Sequence, residues 1–104
     1  MLTAVACNRS ASQVEIMNQE QMVSYLIQLH IAEAQVQNLR LKKDSSKVVF
    51  DIYERHLLEK NGLSDTLFVS SYNYYLEHPI ELETIYEAVV DSISVRKSID
   101  DVVK

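Results

Sequence analysis

Residues 18–40 read NQEQMVSYLIQLHIAEAQVQNLR, and the fold class turns on them. Met22, Leu26, Leu29, Val36 and Leu39 recur near helical spacing, which makes one face of a long helix apolar. Asn18 followed three residues later by Gln21 is a capping-box start, because each side chain can satisfy the other's backbone N–H. The pattern predicts a helix over about 19–40. Beyond it, Lys42 to Lys47 interrupts the apolar rhythm with polar residues, places basic charge near the preceding C-terminus and offers Asp44 or Ser45 as the next N-cap.

A second helix is expected over about 46–60, with Val49, Ile52, Tyr53, His56, Leu57 and Lys60 as its stripe and Asn61-Gly62 as its stop. Ser64 can cap a third, carrying Leu67, Phe68, Ser71, Tyr72 and Tyr75. That helix ends before His78-Pro79, because a residue preceding proline is pushed out of the α region. Pro79 suits the first position of a fourth helix, whose inner face is expected to hold Leu82, Ile85, Tyr86, Val89, Val90 and Ile93. The chain of 104 residues contains one Gly and one Pro, too few corners for a turn-rich β architecture. The reading is therefore all-α: a single small domain of about four helices with a flexible N-terminal segment. Residues 1–17 form a signal remnant and linker, 18–97 the helical domain, and 98–104 a tail or frayed helix end.

Fifteen acidic and ten basic residues give a net charge of −5, and no run of Lys or Arg is long enough to neutralise a row of phosphates. Nucleic acid is therefore set aside as a partner. No stretch holds the eighteen or more apolar residues of a membrane-spanning helix. The opening residues, Met1-Leu2-Thr3-Ala4-Val5-Ala6-Cys7, are small and apolar up to a lone cysteine and polar after it. A bacterial lipoprotein signal ends in this way, with Ala4 and Ala6 in the peptidase groove and Cys7 as the lipidated N-terminus. Leu is the usual residue where Ala4 stands, and six residues are too few for a full signal, which points to an upstream start. The alternative is a cytoplasmic chain that begins at Met1.

Met22 to Ala34 (MVSYLIQLHIAEA), Phe50-Asp51-Ile52-Tyr53, Lys60-Asn61-Gly62-Leu63-Ser64, Tyr72-Asn73-Tyr74-Tyr75 and Ile85-Tyr86 follow one another in an order that resembles the bacterial family catalogued as domain of unknown function 4296. The resemblance covers about 20–95. It implies a short helical protein of the kind common in Bacteroidota, often preceded by a lipoprotein signal, and so favours a cell-envelope location, lipid-anchored at Cys7. Asn8-Arg9-Ser10 lacks the acidic residues that would suggest surface export, which favours the periplasmic face. It implies no activity, substrate or catalytic residue. Gln28 departs from the family pattern, which leads one to expect an acidic residue before the Leu-His pair.

His30 and Glu33 lie three apart and share a helical face, an arrangement that can begin a metal site or pair imidazole with carboxylate. Two ligands do not complete a site. His56 or His78 would have to supply a third, and the plainer reading is a histidine anchored by Glu33 as a helix-to-helix lock. Tyr72, Tyr74 and Tyr75 can offer an aromatic surface to a peptide or partner helix, although helical geometry puts Tyr72 and Tyr75 on one side, as core residues, and Tyr74 on another. No Ser or Cys has an activating context, and the only glycine is a helix stop, so neither a catalytic residue nor a cofactor is read from the sequence. The leading expectation is an anchored module binding an envelope protein or peptide. Its alternatives are a small metal-binding protein or enzyme centred on His30 and Glu33, and a structural homo-oligomer subunit.

Overall fold

The computed structural model describes residues 15–103, with side chains described as far as Ile99. These residues form four helices: α1 (Gln19–Asn38), α2 (Lys43–Lys60), α3 (Asp65–Leu76) and α4 (Pro79–Val103), with no strand among them. None of the helices is long and apolar enough to cross a membrane. The segment about Cys7 lies outside the described residues.

Each helix boundary has a local cause. Asn18 Oδ1 accepts the Gln21 N–H and Gln21 Oε1 accepts the Asn18 N–H, both at 2.8 Å, which closes the capping box. At the end of α2, Gly62 takes a left-handed φ of 68°. Its N–H reaches the Glu59 carbonyl at 3.1 Å, and the Leu63 N–H reaches Leu58 at 2.8 Å. This is the paired hydrogen-bond pattern of a Schellman stop, and Leu63 packs back onto the core that contains Leu58. Ser64 Oγ accepts the Leu67 N–H at 3.0 Å to open α3. Pro79 begins α4, and the Leu82 N–H reaches the His78 carbonyl at 3.0 Å.

The start of α2 differs from expectation. The helix begins three residues earlier than 46, after Lys42, whose side chain makes no capping bond. Asp44 is not a cap but sits in the first turn, where its carboxylate meets the positive end of the helix dipole. The α1–α2 turn is closed by Arg40 in a left-handed conformation, φ 53°, a position usually filled by glycine or asparagine. α4 runs through the expected tail to Val103.

Met22, Tyr25 and Leu26 of α1, Leu58 of α2, Tyr75 of α3, and Ile85 and Val89 of α4 form one core with Met17. Each such side chain contributes about 1.5–3 kcal/mol by leaving water. Met17, which the sequence assigns to the leading linker, is only 1% exposed. Its N–H donates to Ser71 Oγ and its carbonyl accepts the Tyr75 hydroxyl, both at 2.8 Å. These two bonds tie the chain ahead of α1 onto α3.

α1 is the central element, packed against both α2 and α4, while α3 packs on α4. Val23 and Ile27 lie along Ile85 and Ala88, and Ile31 lies with Ile93, so α1 and α4 run in the same direction. α2 returns antiparallel, with Gln28 facing Asn61 and Gln35 sharing a groove with Tyr53. Because α2 meets essentially one helix, only a narrow seam of it is covered. Tyr53 and Leu57 are half-buried and Leu58 buried, whereas Ile52, His56 and Lys60 of the expected stripe are exposed. Val90 of α4 and Leu39 at the end of α1 are likewise exposed, because no neighbouring helix covers their sides.

Candidate functional site

The titratable candidates lie apart from one another. His30 Nδ1 is 3.7 Å from Glu33 Oε1, both side chains about half exposed and both on α1. The pair therefore links successive turns of one helix. It is not the helix-to-helix lock expected from the sequence, since no second helix takes part. His56 is on the outer edge of α2, in a groove with Gln28, Gln35, Tyr53 and Lys60. His78 follows α3, its ring stacked on Tyr74 at 3.9 Å and its Nδ1 2.7 Å from the Tyr74 carbonyl oxygen. Among the described residues no three His, Cys, Asp or Glu side chains converge as metal ligands would.

The tyrosines divide as helical geometry requires. Tyr75 is buried, with its hydroxyl on Met17, and Tyr72 is half-buried with its hydroxyl 3.0 Å from that of Tyr86. Only Tyr74 of the three is exposed, packed edge-on against Tyr75 with ring centres 5.0 Å apart. A shared aromatic docking face of Tyr72, Tyr74 and Tyr75 is thus not presented. Inside, Tyr25 meets Phe68 edge to face at 4.8 Å, which ties α1 to α3. Sequence reading had passed over Tyr25. Among the described residues its buried hydroxyl has no hydrogen-bond partner, and burial, then the carboxylates of Glu54 and Asp65, push its pKa up to about 12. Burial and the hydrogen bond shared with the Tyr72 hydroxyl likewise push Tyr86 up to about 12. A hollow beside α2, lined by Asp51, Glu54, Glu59, Asp65 and Arg55, raises Glu54 through its burial and its acidic neighbours Asp65 and Asp51.

Gln28 has a defined task. Its Oε1 accepts from Asn61 Nδ2 at 3.0 Å, and its Nε2 donates to Asn61 Oδ1 at 3.3 Å. A carboxylate could accept from Asn61 but could not donate in return. This exchange joins the middle of α1 to the stop of α2.

A further concave surface lies elsewhere, along the parallel pair α1 and α4. It is an open groove of about 550 Å³, with Val23, Ile27, Ile85 and Ala88 along its floor and Gln19, Ser24, Gln28 and Thr84 at its rim. Glu20 and Arg96 supply one charge of each sign. Apolar residues spaced three and four apart beneath neutral hydrogen-bonding groups can hold the apolar face of an extended or helical segment. Neither helix announces this groove by itself, since it arises where two half-apolar faces lie side by side.

A family model described as Domain of unknown function (DUF4296) matches residues 14–99. No curated protein and no solved structure matches the chain.

Proposed function

We propose, from the premise that this chain belongs to the DUF4296 family, that it is an accessory module of the bacterial cell envelope, lipid-anchored through Cys7 and facing the periplasm, which binds an apolar segment of a partner protein or peptide. The observation that carries the reading is the α1–α4 groove, with its apolar floor and neutral polar rim. A helix or strand laid there would bury Val23, Ile27 and Ala88 and leave Gln19, Ser24 and Thr84 to meet its backbone or amide groups. Glu20 and Arg96 would then set its direction by charge. The small residues ahead of Cys7 support the anchor.

Two measurements test the two halves separately. Expressed from its native gene, the product should take up labelled fatty acid in bacterial cells, and Cys7→Ser should abolish the label; an unlabelled wild type would overturn the anchor. Crosslinked pull-down from the native envelope with wild type and Val23→Glu as baits tests the groove. One partner lost with Val23→Glu, while circular dichroism shows an intact fold, is the expected result. A partner retained at full yield would overturn it. Recovery of the chain alone, with a solution mass of two or more copies, would replace the partner with a second copy.

A further inference from the structure

The ten residues from Leu39 to Val48 read LRLKKDSSKV, and they form the exposed turn between α1 and α2 together with the first turn and a half of α2. Four of the ten basic residues of the chain fall here, Arg40, Lys42, Lys43 and Lys47, with one of its fifteen acids, Asp44. The segment carries a net +3, which leaves six basic and fourteen acidic residues, a net −8, for the rest. Among these cations stand Leu39, Leu41 and Val48, exposed by 52%, 40% and 59%. All four basic side chains are exposed, and among the described residues only Lys47 pairs with a carboxylate, Asp51 at 3.6 Å. Because α1 and α4 run in parallel, Arg96 and Lys97 of α4 come to the same end of the molecule, next to Ile31 and Ile99.

We propose that this turn is a contact surface for an anionic lipid bilayer. It projects between two helices and presents isolated apolar side chains among long-stemmed cations. Single leucines and valines can dip into a lipid interface while Lys and Arg stems reach the headgroup phosphates. A folded protein would need a complementary hollow for each leucine. Duplex nucleic acid offers phosphates but no apolar layer for Leu39 and Leu41 to enter. The acidic remainder of the chain is repelled from the same surface, which fixes the end that approaches. Arg40 adds a second observation. Its left-handed φ of 53° favours glycine or asparagine, yet the residue there is a cation. No described helix can span a bilayer, so the contact is peripheral. It stands apart from both the groove reading and the acyl anchor, and it can fail while either of those holds.

The test uses the full chain with Cys7→Ser, which removes acylation, in sedimentation with vesicles of phosphatidylcholine alone and of phosphatidylcholine with 30% phosphatidylglycerol. Binding to the anionic vesicles only, released in 1 M salt where screening acts within about 3 Å, is the expected result. Each cation near the surface is worth roughly a five-fold change in partitioning, so Lys42→Glu with Lys43→Glu should weaken binding by at least about twenty-fold. Leu39→Ser with Leu41→Ser should weaken it with the charge unchanged. Arg40→Gly should weaken it about five-fold while the fold gains stability, which no purely structural role would produce. Lys60→Glu, outside the patch, should leave most of the binding. The proposal is overturned by no binding to either vesicle, by equal binding to both, by tip variants that bind like wild type, or by tighter binding to a DNA duplex than to anionic vesicles.

Discussion

Ser71→Ala is the sharpest test of how the chain ahead of α1 is held. The Ser71 side chain is fully buried, and its Oγ accepts the Met17 N–H at 2.8 Å. Oγ also donates to the Leu67 carbonyl at 2.7 Å, but within a helix that carbonyl already accepts a backbone bond, so its loss costs little. Among the described residues the Met17 N–H has no second partner, and at a site closed to solvent water does not replace the hydroxyl. An unpaired buried donor costs about 1–3 kcal/mol, so about 2 kcal/mol is expected. Each kcal/mol moves the unfolding midpoint of a domain this size by about 4–8 °C, which gives a fall of about 8–16 °C. Thermal melts followed by circular dichroism, with urea titrations to check that the slope is unchanged, measure it. A loss below about 0.3 kcal/mol would refute the clamp, since the methyl group left by alanine keeps the packing and isolates the hydrogen bond.

Met17→Ala, in the same melts, should cost about 2–5 kcal/mol because it empties a core position. Tyr74→Phe, which removes an exposed hydroxyl, should change stability by less than about 0.5 kcal/mol. In a spectrophotometric alkaline titration, Tyr25 and Tyr86 should stay out of the first tyrosine step and ionise near 12. Their pKa values are raised in the fold, so their share of stability is complete below about pH 10 and is lost as the pH rises through about 12. A stability curve flat across that window would contradict the burial of both. Arg40→Gly should raise stability by about 1 kcal/mol through relief of the left-handed backbone, and an unchanged or lower midpoint would count against strain at that turn. Ser64→Ala should cost about 1 kcal/mol, read by urea titration, through loss of the α3 cap.

Elements with local causes were legible in the sequence. Asn18 with Gln21, Ser64, Pro79 and Asn61-Gly62 each act on backbone groups within four residues, so their chemistry can be read without the fold. Leu67, Phe68, Ser71, Tyr72 and Tyr75 were also legible as an inward face, because α3 follows one clear helical stripe. The inner side of α2 was not. Which of its apolar residues turn inward depends on where α1 lies, and Ile52 loses that competition to Leu58. Met17 escaped notice because its partners, Ser71 and Tyr75, are more than fifty residues away. Only the pairing of a buried hydroxyl position on α3 with an isolated apolar residue ahead of α1 could have hinted at it. His30 and Glu33 were legible as neighbours, but not as a pair confined to the surface of one helix. The α1–α4 groove belongs to neither helix, so no single stretch announces it, whereas the charge and apolar pattern of Leu39–Val48 stands openly in the chain.

Site-specific photocrosslinking in the native envelope tests the groove reading most directly, with a photoreactive residue at Val23 in one chain and at the exposed Val69 of α3 in another. The account predicts one discrete adduct with a partner protein from position 23 and none of that size from position 69. The same adducts from both positions, or none from position 23 while the protein is folded and present in the envelope, would contradict it.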